Sequence, residues 1–253
     1  MNNQFFKGSA NLAIISISLL SIINILVNNK LNLVVIIWGL HICLQSNIRR
    51  LPYDFYFFRL LRYVCYYIIL IVGTVIYFLY VPEQFDINVV SLIVFFSCII
   101  LFYLSNYKVY KVLLNNSVIY EMNKGNKTSY VAQVIMAATA PLFEECFYRG
   151  IVLSIENVNI IVLIGLSVFL FVCNHKAMPW GNEFKKKDVI VEVFISIANI
   201  YLYLTTKSVF LCIVLHFIMN IPEIILYIKR FLLHYTNFIK VNVNDFTEDD
   251  FFD

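Results

Sequence analysis

The segment "PLFEECFYRG", residues 141–150, sets two adjacent glutamates and an arginine between long apolar runs. Ionisable groups in such surroundings are costly, and by default they mark function. Two more polar clusters interrupt apolar stretches. His175 closes "FLFVCNH", and His216 and Asn220 share "LCIVLHFIMN". Residues four apart share a helix face, so Glu145 reaches Arg149 and His216 lies beside Asn220. Glu144 points about 100° away from Glu145 and need not share its task.

A carboxylate and two imidazoles that meet in a dry site suit amide hydrolysis. That reaction needs an activated water, a stabilised oxyanion and a proton for the leaving amine. Glu144, poorly hydrated, reads as the base that takes a proton from water and returns it. His175 would hold the same water or share the proton, while His216 and Asn220 offer donors to the oxyanion. Glu145 pairs with Arg149 and orients the helix. Glu223, three residues after Asn220, falls on the same face and reads as a supporting residue. No serine or cysteine stands out as a nucleophile: Cys146 lies about 200° around the helix from Glu144. Two histidines and a glutamate are also a zinc set, although the HExxH pattern is absent. The preferred reading needs no cofactor; the alternative is zinc on Glu144, His175 and His216. His41 reads as a hydrogen-bonded packing residue, His234 as interfacial, and Glu192 as reaching the cytoplasmic surface.

The composition says what must hold these groups. Of 253 residues, 61% are hydrophobic and 14% charged, with a mean hydropathy of +0.79. Soluble domains are nearer 45–50% apolar and about 25% charged. The expectation is an all-α fold, a polytopic membrane helical bundle whose first partner is membrane lipid. A net charge of +3, scattered along the chain, gives nucleic acid no footprint. The six cysteines form no CxxC pair and read as small membrane-embedded side chains. No cleavable signal peptide is expected.

A bilayer core of about 30 Å takes about 20 helical residues to cross. Strong candidates are 9–27, 63–81, 88–104, 159–175 and 207–228; weaker ones are 31–45 and 188–204; and 129–156 is apolar but interrupted by Pro141 and the glutamates. Eight segments with both ends in the cytoplasm place sixteen of the nineteen basic residues inside, as the positive-inside rule requires. The protein is thus expected in the cell membrane as a multi-pass chain. It divides into a four-span region at 1–128, a catalytic core at 129–228 and a polar, acidic tail at 229–253. Proline suits the first turn of a helix and unsettles the residue before it. A break near Ala140 and a new helix from Pro141 would put both glutamates in a first turn, in the inner half of the bilayer, level with His175 and His216.

These residues resemble the motifs of the CAAX protease and bacteriocin-processing (CPBP, or Abi) family. "EECFYR" is similar to its glutamate-glutamate-x-x-x-arginine motif, "FVCNH" to its phenylalanine-x-x-x-histidine, and "HFIMN" to its histidine-x-x-x-asparagine. The intervals, 31 residues from Glu144 to His175 and 41 on to His216, also resemble the family's. The resemblance spans about 135–225 and implies an intramembrane endopeptidase, of glutamic or metallo type, with a cavity open to the cytoplasm. It implies a membrane-associated peptide or protein as substrate: a pheromone, a bacteriocin precursor or a lipidated protein. The alternative is a non-catalytic bacteriocin self-immunity or regulatory protein of the same fold. A transporter is disfavoured by the lack of an internal repeat.

The charge distribution makes the first prediction. Reporters fused after residues 86 and 207 should lie outside the cytoplasm, and a cytoplasmic signal at either site would overturn the eight-segment map.

Overall fold

The computed structural model describes residues 29–48, 56–81, 86–177 and 186–236. The candidate segment 9–27 and the acidic end of the tail lie outside them. Among the described residues the chain is helical, with no strand. In order come α1 (Asn29–Ile48), α2 (Tyr56–Tyr80), α3 (Val89–Leu113), the short α4 (Asn116–Glu121) and α5 (Lys127–Glu145). A π-helical segment, Cys146–Ile151, continues α5, and then follow α6 (Ile160–Ala177), α7 (Lys186–Thr206) and α8 (Phe210–Tyr235).

Three of these helices are long and apolar enough to cross a membrane over Val89–Leu113, Val189–Thr206 and Phe210–Tyr235. Shorter apolar stretches occupy Leu33–Ile42, Tyr67–Tyr80 and Ile160–His175. Large apolar side chains cover the outside: Leu79, Ile93, Leu104, Ile161 and Ile190 are all exposed. Such a surface suits hydrocarbon and not water.

Asparagine caps begin several helices. Asn88, Asn115 and Asn126 accept backbone N–H groups at the starts of α3, α4 and α5, satisfying donors that a helix end leaves orphaned. Among the described residues of α1, Leu31, Val34, Val35, Trp38, Gly39, His41 and Ile42 are buried. That 3.6-residue stripe turns one face to the bundle, while Leu33, Ile36 and Leu40 point outward. At the centre, α5 packs along α8, and α2, α6 and α7 all reach the π-helical segment.

The expected helix break at Ala140 does not occur. α5 runs unbroken from Lys127 to Glu145 with Pro141 inside it. Proline removes one hydrogen bond from a helix interior, leaving the carbonyl four residues back without its donor. Here that carbonyl is Ala137's, and the Asn220 side-chain amide donates to it at 3.0 Å. A group on α8 thus replaces the bond that α5 lost. The two glutamates therefore sit in the last turn of α5, not in the first turn of a new helix. They come level with His175 because a short connection, residues 154–159, returns the chain as α6.

Gly150 follows Arg149 in the π-helical segment, directly against the buried Tyr77. A Cβ there would stand 2.5 Å from the Tyr77 ring. Gly150→Ala should therefore lower the thermal midpoint in detergent, by the equivalent of about 1–3 kcal/mol for overpacking. An unchanged midpoint would mean that α2 is not seated there.

Candidate active site

Glu145 is fully buried at the junction of α5 and the π-helical segment. Its Oε2 lies 3.1 Å from the Arg149 Nε, and neither side chain is exposed. Its Oε1 accepts from Asn199 of α7 at 3.1 Å and from His216 of α8 at 2.8 Å. Arg149 donates to Ser196 of α7 at 3.0 Å and stacks over the Phe171 ring of α6, 4.3 Å from its centroid. Buried charges persist where they are paired and hydrogen-bonded; this pair has its ion contact and the bonds to Ser196, Asn199 and His216, while the Arg149 Nη1 is buried without a hydrogen-bond partner. Glu145 does pair with Arg149, but it also holds His216, which intervals along the sequence alone do not reveal.

Glu144, its neighbour, faces another way. It is 2% exposed; its Oε1 accepts from Asn174 at 3.4 Å, and its Oε2 is buried without a hydrogen-bond partner. The His175 Nε2 lies 3.8 Å from that Oε2 and 3.9 Å from the Glu192 Oε2. His175 Nδ1 is bonded to the Phe171 carbonyl at 3.0 Å. A carbonyl only accepts, so Nδ1 carries the hydrogen and Nε2 faces the carboxylates. The same logic applies to His216, whose Nδ1–H goes to Glu145. The Phe171 ring packs against both imidazoles, with centroids 4.4 Å from His175 and 5.8 Å from His216.

A cavity of about 440 Å³ lies between α2, α3, α5, α6, α7 and α8. Glu144, His175, His216 and Asn220 all contribute to its wall, as do Glu192 and Glu223. The rest is mainly apolar and aromatic, as in small-molecule and peptide sites generally. Asn220 spends one amide N–H on Ala137. Glu223 accepts from Tyr227 at 2.9 Å and stands further along the wall. Glu192, read from the sequence as a residue reaching for the surface, belongs instead to this cavity.

The donor set also fits a metal ion. Glu144, His175 and His216 each offer a ligand atom, all within 4.8 Å of one another. Glu144 Oε2 is without a hydrogen-bond partner, and each imidazole is held through Nδ1 by a carbonyl or a carboxylate. Outer partners of that kind are how proteins orient histidine ligands.

Three polar residues of the site, Asn174, Ser196 and Asn199, carry no reading in the sequence, and a fourth, Glu192, is read there as a surface residue. Asn174 sits inside the quoted "FVCNH". Glu192, Ser196 and Asn199 lie four and three residues apart on α7, so they share one face of an apolar helix. Tyr203 continues that stripe and bonds to Ser154 at 2.8 Å. The spacing was the signal that could have found them.

Residues 126–222 match the model of the family described as Type II CAAX prenyl endopeptidase Rce1-like. No curated protein and no solved structure matches the chain.

The buried pair generates its own prediction. Glu145→Gln and Arg149→Met should each lower stability by about 3–5 kcal/mol, because each strands its partner's charge. The double variant should cost well short of the sum. Thermal melts of the purified variants read this out, and full additivity would show that the two side chains do not act as a unit.

Proposed function

We propose that this chain, whose residues 126–222 match the family model described as Type II CAAX prenyl endopeptidase Rce1-like, is an intramembrane endopeptidase that hydrolyses a membrane-associated peptide or protein. The observation that carries this is the gap between the Glu144 Oε2 and the His175 Nε2. At 3.8 Å it is too long for a direct hydrogen bond and within the span of one bridging water. Both atoms belong to residues of the cavity wall.

Glu144 takes the proton as that water attacks the peptide carbonyl. Poor hydration makes it a competent base, and Asn174 holds its other oxygen in place. His175, fixed through Phe171, orients the water and passes the proton toward the leaving amine. His216, in its doubly protonated form, donates from Nε2 to the oxyanion while Glu145 accepts from Nδ1 and stabilises the charge. Asn220 chiefly positions α5 against α8, and its second amide hydrogen is the one left for substrate. Glu145 and Arg149 orient this machinery from behind. If the enzyme takes zinc, Glu144, His175 and His216 would hold it, and the ion would supply Lewis-acid polarisation. The apolar, aromatic wall formed by Tyr67, Phe102, Met136, Met219 and Leu226 suits a peptide segment that carries apolar groups.

Glu144→Gln keeps the shape and removes the base, so turnover should fall at least ~10²-fold with normal expression. Comparing the peptides of membranes from cells carrying wild type and Glu144→Gln reads this whatever the substrate is. Identical peptide profiles would favour the non-catalytic immunity or regulatory reading. The preferred mechanism also predicts that active enzyme contains no stoichiometric zinc and withstands prolonged chelation. One zinc per chain, lost together with activity in both His175→Ala and His216→Ala, would overturn the metal-free mechanism.

A further inference from the structure

We propose that His41 and Asn174 form a buried positioning relay that sets the orientation of Glu144, so that a residue of α1, outside the segment matching the family, tunes the base. The inference rests on the role proposed above for Glu144, but the contact itself can be tested without activity. His41 Nε2 lies 3.2 Å from the Asn174 Oδ1, and the Asn174 Nδ2 lies 3.4 Å from the Glu144 Oε1. His41 and Asn174 are fully buried and Glu144 nearly so. His41 belongs to the stripe that seats α1 in the bundle, one turn from the buried Trp38.

The directions of these bonds are fixed by chemistry. A carboxylate only accepts, so the amide of Asn174 must turn its NH₂ toward Glu144. That leaves the carbonyl oxygen facing His41, which must therefore donate from Nε2. The two bonds agree: Glu144 selects the flip state of Asn174, and the His41 Nε2–H braces the Asn174 carbonyl in that state, which keeps the amide NH₂ on the Glu144 Oε1. The consequence falls on the other oxygen. With Oε1 held by Asn174, rotation of the Glu144 carboxylate is opposed, and Oε2 is turned toward His175, free of any hydrogen-bond partner. A base with one oxygen anchored and one presented loses little freedom on reaching the transition state. Neither His41 nor Asn174 lines the cavity, so both act through Glu144 and not on substrate.

Difference infrared spectra supply the test, with the carboxyl band of Glu144 assigned by its loss in Glu144→Gln. Asn174→Leu and His41→Phe should both shift that band, and His41→Gln, which restores a donor, should return it toward the wild-type position. With a fluorogenic peptide ending in a prenylated CAAX sequence as the probe, kcat should fall about tenfold in both variants, the scale of losing an outer group that orients a reactive one. KM should stay within about twofold, because neither side chain meets the peptide. The double variant should cost kcat well short of the sum of the two single losses, since the relay carries the effect of His41 on Glu144 through Asn174. If His41→Phe does not accumulate, His41→Met, slimmer and without a donor, tests the first link. An unshifted band in both variants, or losses that add fully in the double variant, would overturn the relay. Wild-type enzyme inert toward the peptide, or an active Glu144→Gln, would count against the proposed function and leave the infrared result to decide the relay.

Discussion

One ion pair, Glu145 with Arg149, sets the terms for the rest of the structure. Two opposite charges are removed entirely from solvent, and desolvation of that kind exceeds the Coulombic return unless further polar and aromatic groups gather round the pair. Here the company comes from α6, α7 and α8: the Phe171 ring, Ser196, Asn199 and His216. Meeting the needs of the pair therefore fixes three helices relative to the π-helical segment. It also aims one imidazole of the candidate site, since the hydrogen bond that satisfies Glu145 is the one that orients His216. Folding and preorganisation of the site share a single interaction.

The two adjacent glutamates illustrate how far environment separates identical side chains. Glu145 has one oxygen hydrogen-bonded to Asn199 and His216 and the other against the Arg149 guanidinium at 3.1 Å. Glu144 keeps one oxygen uncommitted and turned toward His175. Carboxylates in contrasting surroundings take contrasting tasks, and the 100° step of a helix suffices to place neighbours in such different company.

Much of this was legible in the sequence, and the failures have physical causes. The helical, membrane-embedded character followed from bulk composition, which no local detail can reverse. The gathering of Glu144, His175 and His216 followed from the cost of polar groups in an apolar chain: stranded singly they would be expensive, so they meet. The Glu145–Arg149 pair followed from helical spacing. What escaped was whatever depends on a partner distant in sequence. Pro141 pointed to a break because the lost hydrogen bond is local, whereas the amide that replaces it comes from Asn220, 83 residues away from the Ala137 carbonyl. Glu192, Ser196 and Asn199 were spaced to share a face, but which way α7 turns that face is decided by packing. Asn174 was hidden beside a louder neighbour, since its role needs His41, 133 residues earlier.

The π-helical segment Cys146–Ile151 carries a consequence for how this region can vary. A π-turn holds one more residue than the α-turn it replaces, so it arises naturally from an insertion and is erased by a deletion. Everything before it, including both glutamates, is phased against everything after it by that extra residue. Removing any one residue between 146 and 151 would let the helix relax to regular geometry and rotate the two halves by about 100° relative to each other. The glutamates would then turn from the histidines, or Gly150 from Tyr77. This stretch is therefore constrained in length as well as in side-chain identity: its apolar positions can exchange among themselves, but the number of residues it contains is part of what builds the candidate site.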